Sequence, residues 1–272
     1  MISNEIFKFF ADIIHKASGM VYTEKDFYRL EPRINDMIKI FQLDDAEALY
    51  WKYKGDMTPD MQAVLFNVFT NNETYFFRDV RPFMVLTSHI LPELWERYPD
   101  ELIKIWSCAS STGQEALSTL MAIENDMGAK AFQLIDVDAT DISKRALEKA
   151  KQGVYTGLDV QRGLPIEMLL KNFKHLPSED WQVLPKLLSK INFREFNLLN
   201  DSFPIKKYHI VFCRNVLIYQ DFENKNTIVK NIFESLLPGG YMLLGSGESL
   251  IKVDSAFEKI TISGLTVYRK NE

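Results

Sequence analysis

A chain of 272 residues can hold one large domain, or a medium domain with a small companion; its 46% hydrophobic and 25% charged residues are ordinary for a soluble globular protein. A net charge of −5 takes weight from general nucleic-acid binders, which carry a basic excess, and two cysteines (Cys108 and Cys213) are too few for a disulfide framework and suit a reducing compartment. No apolar run approaches the roughly 20 residues that cross a bilayer, and the opening MISNEIFKFFADIIHK reads as an amphipathic helix rather than a signal peptide, so the expectation is a cytoplasmic protein without nucleic-acid partner or membrane insertion.

Residues 1 to about 80 carry helical periodicity. Ile6, Phe9, Phe10 and Ile13 share one helical face, as do Leu30, Ile34, Met37, Ile38 and Phe41. Thr58-Pro59-Asp60 reads as the cap and first turn of a helix through Phe66, and the region as a small helical bundle. From about residue 100, strands and helices alternate. The predicted elements are a strand at Ile103–Cys108, a helix at Gln114–Asn125, a strand at Gln133–Thr140 and a helix at Ser143–Gln152 capped by Ser143. Strands follow at Ile191–Phe196 and His209–Arg214, then a helix at Phe222–Leu237 stopped by Pro238-Gly239-Gly240, then a strand at Tyr241–Gly245. Two tail strands, Glu258–Ile262 and Leu265–Arg269, hinge at Ser263-Gly264. Alternation of this kind predicts an α/β fold: a mostly parallel sheet covered on both faces, with an antiparallel hairpin at its edge. Residues 154–190 are too long for a structureless link and read as an inserted subdomain, with a helix near Pro165–Phe173 and a strand near Trp181–Leu184.

Open α/β sheets bind ligands beyond the carboxyl ends of their strands. Here those positions are Ser107–Glu115, Asp141, Asn197-Leu198 and Arg214-Asn215, each polar and directly after an apolar strand. The first loop has one glycine, Gly113, and the acid Glu115. A pyrophosphate site wants several glycines and no acid, so an NAD-dependent oxidoreductase is disfavoured. A cationic nucleoside such as S-adenosylmethionine fits: Glu115 can pair with its amino group, and Asp141 can accept from a ribose diol. Asn197 and Asn215 can bond an adenine edge or the amino-acid tail.

Asn72-Glu73-Thr74-Tyr75-Phe76-Phe77-Arg78-Asp79 resembles the N-x-T-x-F-F-R-[DE] signature of the CheR family, the chemotaxis receptor methyltransferases. Trp106-Ser107 through Ser111-Thr112-Gly113-Gln114-Glu115 looks like that family's first cofactor loop. Ala139-Thr140-Asp141-Ile142 with Gly153-Val154-Tyr155 resembles its second, and Asn197-Leu198-Leu199 its third. Phe212-Cys213-Arg214-Asn215-Val216-Leu217-Ile218-Tyr219 is nearly its fourth verbatim, and Pro238-Gly239-Gly240-Tyr241 with 245–250 is similar to its end. The resemblance implies an all-α N-terminal domain (1–80), a linker at about 70–100 that contributes to the site, and a Rossmann-like class I methyltransferase domain (81–272) with a small inserted β-subdomain and a C-terminal antiparallel hairpin. It implies a cofactor site of Asn72, Thr74, Arg78, Ser107, Gly113, Glu115, Asp141, Ile142, Asn197, Leu198, Arg214 and Asn215, with Arg78 and Tyr219 at the reacting centre and no metal. The activity implied is transfer of a methyl group from S-adenosylmethionine to glutamate carboxylates on the cytoplasmic domain of a methyl-accepting chemotaxis receptor, leaving S-adenosylhomocysteine.

Three departures accompany the likeness. Gln114-Glu115-Ala116-Leu117 stands where the family often has Glu-Glu-Pro-Tyr, and Gly245-Ser246-Gly247-Glu248 where it has Gly-His-Ser-Glu. The receptor-facing basic stripe would be Lys25, Arg29 and Arg33, diluted by Glu24, Asp26, Glu31 and Asp36. A glutamate acceptor, with a pKa of about 4.3, is already ionised at neutral pH and requires no general base. His15, His89, His175 and His209 accordingly read as surface or packing residues. An S-adenosylmethionine-binding scaffold without turnover, and a methyltransferase with a non-receptor acceptor, stay open as alternatives. Cys108 and Cys213 should be buried neighbours at the ends of adjacent strands.

Overall fold

In the computed structural model, which describes residues 2–253 and 256–271, the chain begins with four helices on one apolar core. Helix α1 (Asn4–Ser18) starts at Ser3, whose hydroxyl accepts the Ile6 amide, and ends at Gly19 with φ 72°. Helices α2 (Phe27–Ile40), α3 (Ala46–Lys54, capped by Asp45) and α4 (Pro59–Phe69, capped by Thr58) follow. Phe10, Leu30, Ile34, Met37 and Leu49 are fully buried where they meet, while Phe9, Ile13, Ile38 and Phe41 close the edge of that core. The expected basic stripe is corrected. Arg33 turns inward and donates to the Tyr22 hydroxyl at 3.0 Å and to the Phe69 carbonyl, because the end of α4 leaves that carbonyl unpaired. Arg29 leans on Asp26 at 3.5 Å.

Helices α5 (Arg81–Val85) and α6 (Leu91–Arg97), joined by a wider helical turn at Leu86–Ile90, lead to the sheet. They share its core with Phe76 and Phe77. Strand β1 (Ile103–Cys108), helix α7 (Gln114–Gln133), strand β2 (Ile135–Asp141) and helix α8 (Lys144–Gln152, capped by Ser143) come next. Helix α7 runs beyond the expected Asn125, reoriented at Gly128 (φ 83°), so β2 starts at Ile135 rather than Gln133.

The insert holds β3 (Val154–Tyr155), α9 (Gly157–Gln161), α10 (Ile166–Asn172), β4 (Phe173–His175), β5 (Trp181–Val183) and α11 (Pro185–Leu188). Its three strands form an antiparallel sheet in the order β3-β5-β4. Tyr155 and Phe173 both meet the Phe76 ring edge-on and root the insert on the segment before α5.

Strands β6 (Ile191–Glu195) and β7 (Tyr208–Cys213), helix α12 (Phe222–Ser235), and strands β8 (Leu236–Leu244), β9 (Glu258–Ile262) and β10 (Leu265–Arg269) complete the chain. The expected helix stop at Pro238-Gly239-Gly240 is corrected: α12 ends at Ser235 and these residues lie inside β8. A register shift opposite Tyr208/Ile210 absorbs the missing proline amide, and Gly239 and Gly240 still pair with Lys270. The main sheet runs β6-β2-β1-β7-β8-β10-β9, parallel through β8 and antiparallel at the hairpin. Strand order reverses between β1 and β7, which opens a crevice at their carboxyl ends.

The N-terminal helices close that crevice. Asn67 of α4 accepts from the Ser143 hydroxyl (2.9 Å) and the Arg145 amide (3.2 Å) at the start of α8. His15 meets Asp221 at 2.6 Å, and Met20 forms an antiparallel bridge with Gln220. Gly19 sits in this junction, where an added Cβ would collide with Gln220 Oε1. Gly19→Ala is expected to cost about 1–3 kcal/mol from the positive φ and the collision together. A thermal midpoint equal to wild type in that variant would show that the junction yields freely.

Candidate active site

The crevice is lined by six segments: the end of α1 with the residues after it, the stretch before α5, and the loops after β1, β2, β6 and β7. Asn72, Thr74, Arg78, Glu115, Asp141, Ile142, Asn197, Leu198, Arg214, Asn215 and Tyr219 all face it. Ser107 and Gly113 do not, which corrects their expected place in the wall. Ser107 is buried behind the loop and donates to Glu115 Oε1 at 2.7 Å, so it orients that carboxylate. Gly113 (φ 92°) packs against Ala150 and the Tyr155 hydroxyl, close enough that a side chain would push the loop outward.

Glu115 does not stand alone. Its Oε2 accepts from Arg214 Nη1 at 2.8 Å, and Arg214 Nη2 reaches both Asp79 Oδ2 and the Arg78 carbonyl at 2.7 Å. The Arg214 side chain is 1% exposed. Two carboxylates on one guanidinium leave a net charge of −1 on this cluster, which suits a cationic ligand. Asp141 is fully buried at the end of β2. It accepts the Ser111 amide at 2.8 Å and the Ser143 amide at 2.9 Å, which leaves lone pairs for further donors. Burial raises its carboxyl above the ordinary value, and these amide bonds pull back against the rise.

The two asparagines differ. Asn197 donates its side-chain amide to the Ala17 carbonyl at 2.8 Å and accepts the Leu199 amide, so it chiefly fastens the β6 loop to the end of α1. Asn215 (φ 58°) has its backbone amide on Glu248 at 2.6 Å, and its side chain makes no hydrogen bond among the described residues. Glu248 also accepts the Gly245 and Ile218 amides, so the acid of the 245–248 loop holds backbone in place.

Arg78 bonds only the Glu73 carbonyl (3.1 Å) through its side chain, lies over the Tyr75 ring, and makes no ion pair among the described residues. The Tyr219 hydroxyl accepts from Asn71 at 2.8 Å, which leaves its own proton free to donate. Ser18, Met20, Asn71 and Gln220 also line the crevice and were not foreseen. The one local sign of the first two is Gly19 between them, a helix terminator whose neighbours must turn sharply.

None of the histidines joins this wall. His209 is buried in β7, accepts the Lys104 amide on Nδ1, and is held down to about 4, first by burial and then by the Lys104 charge. The unfolded chain therefore binds more protons than the folded one between about pH 6.5 and 4, and stability falls as pH drops through that window. His209→Gln is expected to flatten that decline by ~2–3 kcal/mol at pH 4, checked by urea melts at pH 7, 5.5 and 4.5. Cys108 and Cys213 lie side by side in register on β1 and β7, both fully buried. The neighbouring Cys108 thiol and burial push the Cys213 thiol well up, which favours its un-ionised form.

Three buried polar atoms of wall residues, Ser110 Oγ, Arg214 Nε and Gln220 Oε1, have no partner among the described residues. The crevice also offers a net negative cluster on one side and, on the other, a buried carboxylate with lone pairs left for further donors. A nucleoside with a cationic amino-acid tail fits these features. The sheet order, the crevice and its charges define an S-adenosylmethionine-dependent methyltransferase of the Rossmann-like class I architecture. Residues 72–265 match the family model described as CheR methyltransferase, SAM binding domain, and the chain belongs to that family. It is 33% identical to the chemotaxis protein methyltransferase Cher2 of Pseudomonas putida over 97% of both chains. It is also 33% identical to chemotaxis protein methyltransferase 1 of Pseudomonas aeruginosa over 98% of both. A chemotaxis protein methyltransferase of Borreliella burgdorferi shares 29% identity over 88% of this chain and 86% of its own. The cofactor is S-adenosylmethionine, and among the described residues no helix is long and apolar enough to cross a membrane.

Proposed function

We propose that the protein methylates glutamate side chains on the cytoplasmic domain of a chemotaxis receptor, forming methyl esters in the cytoplasm. The observation that carries this reading is Arg78: a guanidinium at the crevice with no carboxylate partner among the described residues, two positions from the phenylalanine that anchors the insert. It is shaped to receive an anion. The relatives are named chemotaxis protein methyltransferases, which fits an acceptor in the chemotaxis machinery.

S-adenosylmethionine supplies a methyl group activated on a cationic sulfur. Asp141 would take the ribose hydroxyls, and Glu115, held by Arg214 with Asp79 behind it, the ammonium of the tail. Asn72, Thr74, Ile142, Leu198 and Asn215 would enclose the remainder. Arg78 would fix one oxygen of the incoming carboxylate and leave the other as nucleophile. Tyr219 would donate a hydrogen bond at the same mouth, its orientation set by Asn71. No residue needs to remove a proton, because a glutamate carboxyl with a pKa of about 4.3 is ionised at neutral pH. The contribution of the chain is alignment, which in favourable systems recovers about 7–11 kcal/mol of a barrier.

The test is incubation with methyl-labelled S-adenosylmethionine and purified receptor cytoplasmic domains. Label that leaves as methanol in mild base supports the reading. Uptake of the methyl donor with no base-labile product on any receptor domain would sink it.

A further inference from the structure

Phe77, Asp79 and Val80 have φ values of 52°, 69° and 50°. Residues with a Cβ hold such conformations at a cost of about 1–3 kcal/mol each, and only where the surroundings fix them. Val80 is β-branched and 53% exposed, so its own packing does not fix it. Arg78 sits within this strained turn.

Three groups from elsewhere in the chain hold the turn, one of them the Ser246 hydroxyl, which donates to Asp79 Oδ1 at 3.3 Å. The Ser118 hydroxyl accepts the Phe77 amide at 2.9 Å. Arg214 Nη2 grips the Arg78 carbonyl and the Asp79 carboxylate together, each at 2.7 Å. The other arm of the same guanidinium is on Glu115, and the Arg214 side chain is too buried to swing away.

We infer that Asp79 is a positioning residue that ties the methyl-donor side of the cleft, through Arg214, to the strained turn carrying Arg78. This rests on the acceptor role given to Arg78 above. A cation bound at Glu115 competes with Arg214 for that carboxylate. Arg214 then gives more of its charge to Asp79 and tightens the turn. Coupling of this kind is reciprocal: whatever firms the turn also favours the occupied donor side.

Asp79→Asn keeps the shape and removes the charge. Hydrogen exchange of residues 77–81, calorimetry with S-adenosylhomocysteine, and separate kcat and KM values read the outcome. In the wild type, S-adenosylhomocysteine is expected to slow exchange in 77–81 by about tenfold, within the usual range of such couplings. In Asp79→Asn that protection disappears, S-adenosylhomocysteine binds up to about tenfold more weakly, as reciprocity of the lost coupling requires, and kcat at saturating donor falls by about tenfold to a hundredfold. Asp79→Glu, which keeps the charge, should regain much of the protection. Should Asp79→Asn fail to fold, the wild-type comparison and Asp79→Glu still decide the matter. Unchanged exchange in the wild type on S-adenosylhomocysteine binding overturns the inference. So does an Asp79→Asn variant that keeps protection and kcat. A wild type that shows the protection but esterifies no receptor domain counts against the acceptor reading alone.

Discussion

Replacing Arg78 by alanine should cut methyl transfer by at least about a hundredfold, the cost typical of losing one well-placed charged partner in an active site. The fold should survive, because Arg78 makes no ion pair among the described residues and bonds only the Glu73 carbonyl through its side chain. Affinity for S-adenosylhomocysteine should change much less than turnover, since Glu115, Asp141 and Asn215 lie on other loops. Arg78→Lys should fall between the two: it keeps the charge but loses the planar fork that fixes one oxygen and frees the other. Initial rates with saturating receptor domain, set beside calorimetry, make the comparison. Near-normal turnover in Arg78→Ala would place the acceptor elsewhere.

Arg214→Ala should be the most destabilising single change in the cleft. The Arg214 side chain is 1% exposed and is the shared partner of Asp79 and Glu115, whose side chains are 24% and 12% exposed. Removing it leaves two carboxylates facing each other in a poorly solvated place. Breaking a buried pair costs about 3–5 kcal/mol, a fall in melting temperature on the order of 10 °C. The Arg78 carbonyl also loses its donor. Adding Asp79→Asn to Arg214→Ala should return part of the loss, because one of the two repelling charges is gone. Chemical melts of the two singles and the double give the coupling directly. Simple additivity would mean that these groups do not act on one another.

Much of the site could be read from the sequence because a short apolar strand followed at once by polar residues is a local pattern. Glu115, Asp141, Asn197 and Arg214 stand at the end of, or up to seven residues beyond, strands that periodicity locates, so their gathering follows from the fold class. What escaped notice depends on contacts between distant segments. Ser18 and Met20 reach the crevice only because the chain past α1 pairs with Gln220, and no local pattern encodes that bridge. Arg33 reads as one tooth of an exposed basic stripe until the orphan carbonyl of Phe69 is seen beneath it. The strands of the insert have two or three residues each, too few to display a period. Pro238-Gly239-Gly240 has the composition of a helix stop, and only its pairing with Lys270 reveals a bulged strand. Ser107 and Gly113 belong to the binding loop by sequence without touching the crevice: one braces an acid and the other sets a bend.

The Met20–Gln220 bridge, with the Asn67 bonds at α8 and the His15–Asp221 pair, has a practical corollary. The stretch from Asn72 onward, though it carries the recognisable sequence signature, is not a transplantable catalytic cassette. Cut free of its first 71 residues it would lose one bank of its own ligand channel and bare the greasy seam where Tyr219 rests on the helical core. Any attempt to graft this chemistry onto another scaffold, or to trim it to a minimal enzyme, has to carry the helical bundle along.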